Sequence, residues 1–346
     1  MMRDAKYLIA YLAPLSAFAA VLWQGAWSFS TVVLAFVLIP LGEQFVAGTT
    51  RNLPSVTEEK KAASPFFDWL LYLNVPLLFA LLWLYFSTIT TAELAAWEMV
   101  GITLSVGNVV GTIGINVAHE LGHRQTRHEQ FLAKMLLTTA LYTHFFIEHN
   151  RGHHRRVGTW RDPATARFGE NLYLFWLRSM TTSYLHAWQL EAKRLGSMYK
   201  PAFSVDNEMI WFQLAQAGYL GLVGWQFGWM GVGFAIAVAL TGILLLETVN
   251  YIEHYGLFRK RLPSGFYEKT TPKHSWNSNH ELGRIFLYEL TRHSDHHFKA
   301  TRKYQVLRHF DESPQLPHGY PVSMLMALVP PLWFGGMNRK VREMNG

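Results

Sequence analysis

The 346-residue chain contains no cysteine. Structural disulfides, thiolate zinc sites and any cysteine-held iron–sulfur or rubredoxin cluster are therefore excluded within it. Charge is also scarce: Asp, Glu, Lys and Arg make up 16% of the residues, where soluble domains carry about 25%. Lys and Arg are missing from the stretches 26–29, 89–96 and 225–230, and histidine is missing from the first 118 residues. No internal repeat and no low-complexity tract interrupts the pattern, so one membrane domain over 1–346 is expected.

Apolar residues are abundant. They form 50% of the chain, with 13 Trp, 23 Phe and 15 Tyr. A bilayer core needs about 20 mostly apolar residues per helix, and seven stretches qualify or nearly so: 7–27, 29–47, 68–89, 97–118, 131–147, 209–226 and 229–249. The fifth is short and carries Lys134 and His144. If it crossed the membrane, the histidines at its two ends would lie on opposite faces, so it is read as a helix packed at the site or dipping into the interface. Six spans remain, making an all-α integral membrane fold: four in 1–118, histidine clusters and their cover in 119–208, two more in 209–249, and further ligands with a C-terminal cap in 250–346. The N-terminus lacks a small-residue cleavage site and reads as a first span rather than a removed signal. The apolar tail 321–337, broken by Pro330 and Pro331, reads as interfacial or docked.

The net charge of +7 does not come from basic residues clustered on one helix, so no nucleic-acid partner is expected. Arg3, Lys6, Arg51, Lys60, Lys61, Arg124 and Arg127 all fall in the loops alternate to those lacking Lys and Arg. By the positive-inside rule both termini and every histidine cluster then face the cytoplasm.

All 16 histidines lie at or beyond position 119. HELGHR at 119–124 and EHNRGHH at 148–154 flank the segment 131–147, and LTRHSDHH follows at 290–297. In an α-helix residues four apart share a face, which pairs His119 with His123, His149 with His153, and His293 with His297. His154 and His296 stand beside these pairs. His254, at the end of the last span, shares a face with Glu247 and Asn250. Together they supply nine imidazoles, enough for four or five ligands on each of two metals. Imidazole suits zinc, copper, nickel and iron alike. Glu120, Glu148, Glu253 and Asp295 neighbour these histidines and are expected to orient them by accepting ring N–H groups. Asn116 lies one turn before His119 and is read the same way, as is Asn250. His186 reads as an ordinary packed or surface histidine. Gly101, Gly107, Gly111 and Gly114 allow close helix packing and also leave room for a slender apolar substrate.

HELGH also fits the HExxH signature of zinc metalloproteases, with Glu120 as general base, but that site needs only one further ligand and would leave six clustered histidines without a role. A histidine-lined metal transporter would need ligands in mid-membrane, whereas these sit beyond the ends of the spans.

HELGHR, FFIEHN, EHNRGHH, DPATAR, SVDNE, NYIEHYG, HSWNSNH and LTRHSDHH closely resemble the membrane-bound alkane 1-monooxygenases over most of the chain. That family is related to xylene monooxygenase and, more distantly, to fatty acid desaturases, which share only looser histidine boxes. The resemblance implies six spans, a cytoplasmic di-iron site in the bacterial inner membrane and hydroxylation of the terminal methyl of medium or long n-alkanes. The cofactor would be two non-haem iron ions, with His119, His123, His149, His153, His154, His254, His293, His296 and His297 as ligands. Dioxygen would be the oxidant, and electrons would come from a rubredoxin, separate or in a further domain, and its NAD(P)H-dependent reductase. Arg155, Arg156, Lys269, Lys273, Arg302 and Lys303 are candidates for attracting that acidic carrier. The resemblance gives Glu281 and Glu289 no role. A related desaturase or fatty-acyl hydroxylase is the alternative.

Overall fold

A computed structural model describes residues 4–345; Arg3 of the charge count above lies outside them. Among the described residues the chain is helical, with isolated bridges in place of strands. Five helices among the described residues are long and apolar enough to cross a membrane: α1 (Ala5–Trp23), α2 (Gly25–Glu43), α3 (Pro65–Thr91), α4 (Ala96–Gly122) and the 47-residue α7 (Glu208–His254). Between them lie α5 (Arg127–Thr139) and α6 (Leu172–Ser197), and after them α8 (His293–Phe298), α9 (Tyr320–Ala327) and α10 (Pro330–Asn345).

α7 is not straight. Its Gly228 has φ 67° and ψ −173°, a conformation that glycine adopts without the penalty a Cβ would bring. The two arms fold back on each other. Gln216 Nε2 donates to Thr143 Oγ1 at 2.7 Å, and the neighbouring Tyr142 hydroxyl donates to Glu247 Oε1 at 2.8 Å. In an unbroken helix those two α7 residues would be about 46 Å apart.

α4 is the most buried of the long helices, and small residues set how closely it approaches its neighbours. A Cβ on Gly107 would lie 2.4 Å from Thr241 Cβ, and one on Gly242 would meet Val110 Cγ1 at 2.9 Å. The α4–α7 crossing is thus glycine against helix, the close-packing use of those glycines.

The segment 131–147 does not run through the membrane as one helix. α5 stops at Thr139, and Leu141 takes φ 51°; a short turn Phe145–Ile147 then leads back toward the end of α4. Its two flanking clusters meet, with His123 Nε2 and His149 Nε2 3.0 Å apart. The tail is docked in two pieces: Trp333, Met337 and Val341 of α10 are buried in one cluster with Tyr251 and Tyr255.

Residues 256–320 cover the ends of the helices. Trp276 N donates to Glu253 O at 2.8 Å, Arg292 donates to the backbone of Leu307 at 2.7 Å and of Thr49 at 3.1 Å, and Arg308 pairs with Glu58 at 2.6 Å. The Thr49 and Glu58 contacts tie the cover to the α2–α3 connection, and the Glu253 contact ties it to α7.

Candidate metal centre

The nine histidines form two adjoining groups. His119, His123, His149, His154 and His296 make one, and His153, His254, His293 and His297 the other. In the first, Nε2 atoms approach at 2.9 Å (His119 to His296) and at 3.0 Å (His296 to His154, His154 to His149, His149 to His123). In the second, His293 Nε2 lies 3.1 Å from His254 Nε2 and 2.9 Å from His297 Nε2. The His153 ring centroid is 4.8 Å from that of His254 and 4.7 Å from that of His297.

Local helix geometry decides the partition. His119 and His123 end α4, and His293 and His297 sit on the single turn of α8, so four-residue spacing keeps each pair in one group. Glu148–His153 is instead a π-helical turn. Its wider winding brings His149 together with His154, five positions on, and turns His153 to the other group. The expectation that His149 and His153 share a face is corrected by this turn, an irregularity common at functional sites.

Hydrogen bonding alone cannot account for these contacts. A neutral imidazole nitrogen carries either one proton or one in-plane lone pair, yet His296, His149 and His293 each bring one Nε2 within 3.1 Å of two others. Nitrogens at right angles around an ion bound at about 2.1 Å would lie about 3.0 Å apart, so the spacing fits a metal in each group. Burial supports neutral rings: it lowers His123 to about 3, with the neighbouring His153 adding to the effect, and lowers His149, His154, His293, His296 and His297 well below their ordinary value. His153 Nε2 is buried with no hydrogen-bond partner among the described residues, a lone pair free for a metal. The all-imidazole donor set suits iron as well as its neighbours in the series.

The groups expected to orient these rings fall differently. Glu120 is engaged by Arg124 at 2.9 Å and the Tyr304 N–H at 3.2 Å. Asp295 accepts from Arg302 at 2.5 Å and from the Arg308 N–H at 2.7 Å. Glu148 accepts from His186 Nδ1 at 3.0 Å, so it orients a histidine outside both groups. Burial pushes the Glu148 carboxyl well up, and the carboxylates of Asp162 and Glu247 add to this. Glu253 does contact a clustered ring, but at the inward Nε2 of His293, 3.3 Å away, while the Tyr320 hydroxyl donates to its other oxygen at 2.8 Å. Asn116 donates to the Leu287 carbonyl at 3.0 Å, and Asn250 lies 3.5 Å from Glu247. The residue that sequence reasoning missed is Asp162: it bonds the outward Nδ1 of His153 at 2.9 Å and is itself held by Thr165 at 2.5 Å. It is one acidic residue in the loop after EHNRGHH, and only the folding of that loop distinguishes it.

An apolar cavity of about 100 Å³ opens onto both groups. Thr31, Leu34 and Ala35 of α2, Asn108 and Thr112 of α4, and Leu245 and Val249 of α7 form its walls, and His119, His149 and His293 stand at its inner end.

A family model described as fatty acid desaturase matches residues 95–325, a span that holds all nine histidines. Alkane 1-monooxygenase 2 of Pseudomonas aeruginosa is 43% identical over 92% of this chain and 85% of its own length. Alkane 1-monooxygenase 1 of the same organism is 41% identical over 91% and 83%, and alkane 1-monooxygenase 1 of Alcanivorax borkumensis is 38% identical over 92% and 78%. The chain belongs to the alkane 1-monooxygenase family.

Within this alkane 1-monooxygenase fold, the remaining polar residues have mostly structural partners. Glu289 is buried against Arg284 at 2.6 Å and against the Tyr7 hydroxyl, and Glu281 pairs with Lys6. Of the basic residues considered for an electron carrier, Arg302 is paired with Asp295 and Lys303 with Asp68 at 3.0 Å, and Arg156 contacts His186. Arg155, Lys269 and Lys273 are exposed. They lie in one region: Arg259 bridges the Arg155 carbonyl at 2.8 Å and the Glu268 carbonyl at 3.1 Å, and Glu268 faces His274 at 3.3 Å.

Proposed function

We propose that this protein hydroxylates the terminal methyl of medium or long n-alkanes at a pair of non-haem irons. Dioxygen and two electrons are consumed, and a primary alcohol and water are formed. One iron would be held by His119, His123, His149, His154 and His296, the other by His153, His254, His293 and His297. The observation that carries the reading is the apolar cavity ending on His119, His149 and His293.

An alkane offers no acidic proton and no leaving group, so acid–base or nucleophilic side chains have nothing to act on; irons held by these histidines would activate dioxygen, the oxidant that such a C–H bond demands. The protein's own part is positional. Leu34, Ala35, Leu245 and Val249 exclude water and hold a chain already dissolved in the bilayer. Close packing of α4 on α7 keeps the cavity narrow, so a chain end reaches the histidines before an inner carbon does. Asp162 fixes the His153 ring through Nδ1, leaving Nε2 for the ion.

Six spans are supported by the fold-back of α7 at Gly228. Trp23, Trp27, Trp225 and Trp229, all strongly exposed, lie at the turns lacking Lys and Arg, as interfacial aromatics do. The basic loops lie at the histidine end, which favours a cytoplasmic site with both termini in the cytoplasm, in a multi-pass protein of the bacterial inner membrane. Rubredoxin, with its NAD(P)H-dependent reductase, is the proposed electron source, and the exposed Arg155, Lys269 and Lys273 suit a small acidic carrier. The zinc-protease reading is disfavoured because Glu120, its required base, is committed to Arg124 and Tyr304.

The test is metal analysis of the purified protein, followed by anaerobic reduction and exposure to oxygen with octane or dodecane. Two irons per chain and a 1-alkanol are expected. An alkene without alcohol would make the protein a desaturase, and zinc with peptide cleavage would end the proposal.

A further inference from the structure

On the α6 side of the histidine groups lies a second cavity, unlike the first in size and chemistry. Its walls are Tyr142, His144, Glu148, Ser183, Glu247 and Asn250, with Ala164, Phe145, His149 and His153. Its open volume is about 10 Å³, the room one water molecule needs. His149 of one group and His153 of the other both border it, so it adjoins both proposed iron sites.

The polar atoms around this space are not fully satisfied by each other. His144 is buried, and its Nε2 has no hydrogen-bond partner among the described residues. Glu247, by contrast, takes the Tyr142 hydroxyl on one oxygen at 2.8 Å and faces Asn250 with the other at 3.5 Å. A buried nitrogen left unpaired costs free energy that one bridging water would recover. A line of polar groups leads outward: Glu148 is bonded to His186 at 3.0 Å, and His186 to the half-buried Arg156. In contrast, the walls of the large cavity offer water little to bond to.

Resting on the hydroxylase reading, we infer that the small cavity bounded by His144, Ser183 and Glu247 is a dedicated water site, through which the water made in each turnover leaves the irons. The balance requires such an exit. An alkane, dioxygen, two electrons and two protons give one alcohol and one water; the alcohol can leave by the apolar cavity, but the water is poorly solvated there. Two compartments meeting at the histidines keep the alkane end dry and the other end wet.

An experimental structure at a resolution that reveals ordered water should show one bonded to His144 Nε2. An empty space there would overturn the inference. The functional test fills the cavity in the intact membrane protein with Ser183→Val, and separately removes its free nitrogen with His144→Phe. Iron content and octane KM should stay as in the wild type, while kcat falls roughly tenfold, what one lost hydrogen bond is worth, with a larger solvent deuterium effect. Wild-type kcat in a Ser183→Val protein that keeps its iron would overturn the water site and leave the hydroxylase reading intact. Failure of the wild type itself to make alcohol would count against the hydroxylase reading instead. Should His144→Phe lose iron, Ser183→Val and the water density decide.

Discussion

His149 and His154 bring their Nε2 atoms to 3.0 Å, although they stand five positions apart in sequence, and His153 between them belongs to the other group. A π-helical turn makes this possible, and it divides the histidines into two groups in place of one shared cluster. His254 belongs to the four-histidine group alone. Its replacement, His254→Ala, is expected to halve the iron content and abolish alcohol formation, leaving the five-histidine group loaded. Full iron with wild-type alcohol yield would remove His254 from the ligand set.

Asp162 acts on the same group from behind. Its bond to His153 Nδ1 fixes the ring and leaves Nε2 for the four-histidine group. Asp162→Asn keeps the shape and removes the charge, so iron affinity should fall by roughly 10–100-fold. A chelator titration followed by metal analysis reads this directly, and an unchanged titration curve would show that the carboxylate has no hold on the ion.

Much of this arrangement was legible in the sequence, and the parts that were not share a cause. Histidine spacing on α4 and α8 obeys the ordinary 3.6-residue period, so those pairs could be read off. The π turn at Glu148–His153 breaks that period, and its one glycine, Gly152, does not by itself mark a change of winding, so the partner of His149 is not read from the spacing. The segment 131–147 could be read as not crossing from one face to the other because its flanking clusters had to meet, and they do. Glu120 and Asp295 were assigned by adjacency to histidines, but an α-helical neighbour points about 100° away, and both found cations instead. Asp162 enters through a loop fold, and adjacency carries no information about it.

Gly107 tests the packing that keeps the cavity narrow. A Cβ there would lie 2.4 Å from Thr241 Cβ, a rigid atom that can move only with its helix. Gly107→Ala should therefore push α4 from α7 and destabilise the protein by about 1–3 kcal/mol. Thermal unfolding in detergent is the measurement; an unchanged midpoint would mean that the two helices shift freely past one another.

The exposed cations near Arg259 bear on electron delivery. Reversing two of them together, Arg155→Glu and Lys269→Glu, should raise the rubredoxin concentration needed for half-maximal turnover and weaken its dependence on salt, because electrostatic steering chiefly sets the association rate. Iron content should be untouched, since neither side chain contacts the histidines' partners described above. Identical rubredoxin and salt profiles for the variant and the wild type would place the carrier elsewhere.

Asn108 lies on the cavity wall and precedes His119 on α4, with the π-helical stretch Val110–Ile115 between them. A chain whose terminal methyl reaches His119 must pass this position if it is long, and need not if it is short. Asn108→Phe is thus expected to cut activity on dodecane and longer alkanes sharply while largely sparing octane, with iron content unchanged. Competition between the two alkanes in one reaction, with both alcohols quantified, gives the ratio free of differences in enzyme amount. If that ratio stays at the wild-type value, the substrate does not lie along α4, and the cavity ending on His119, His149 and His293 is not its path.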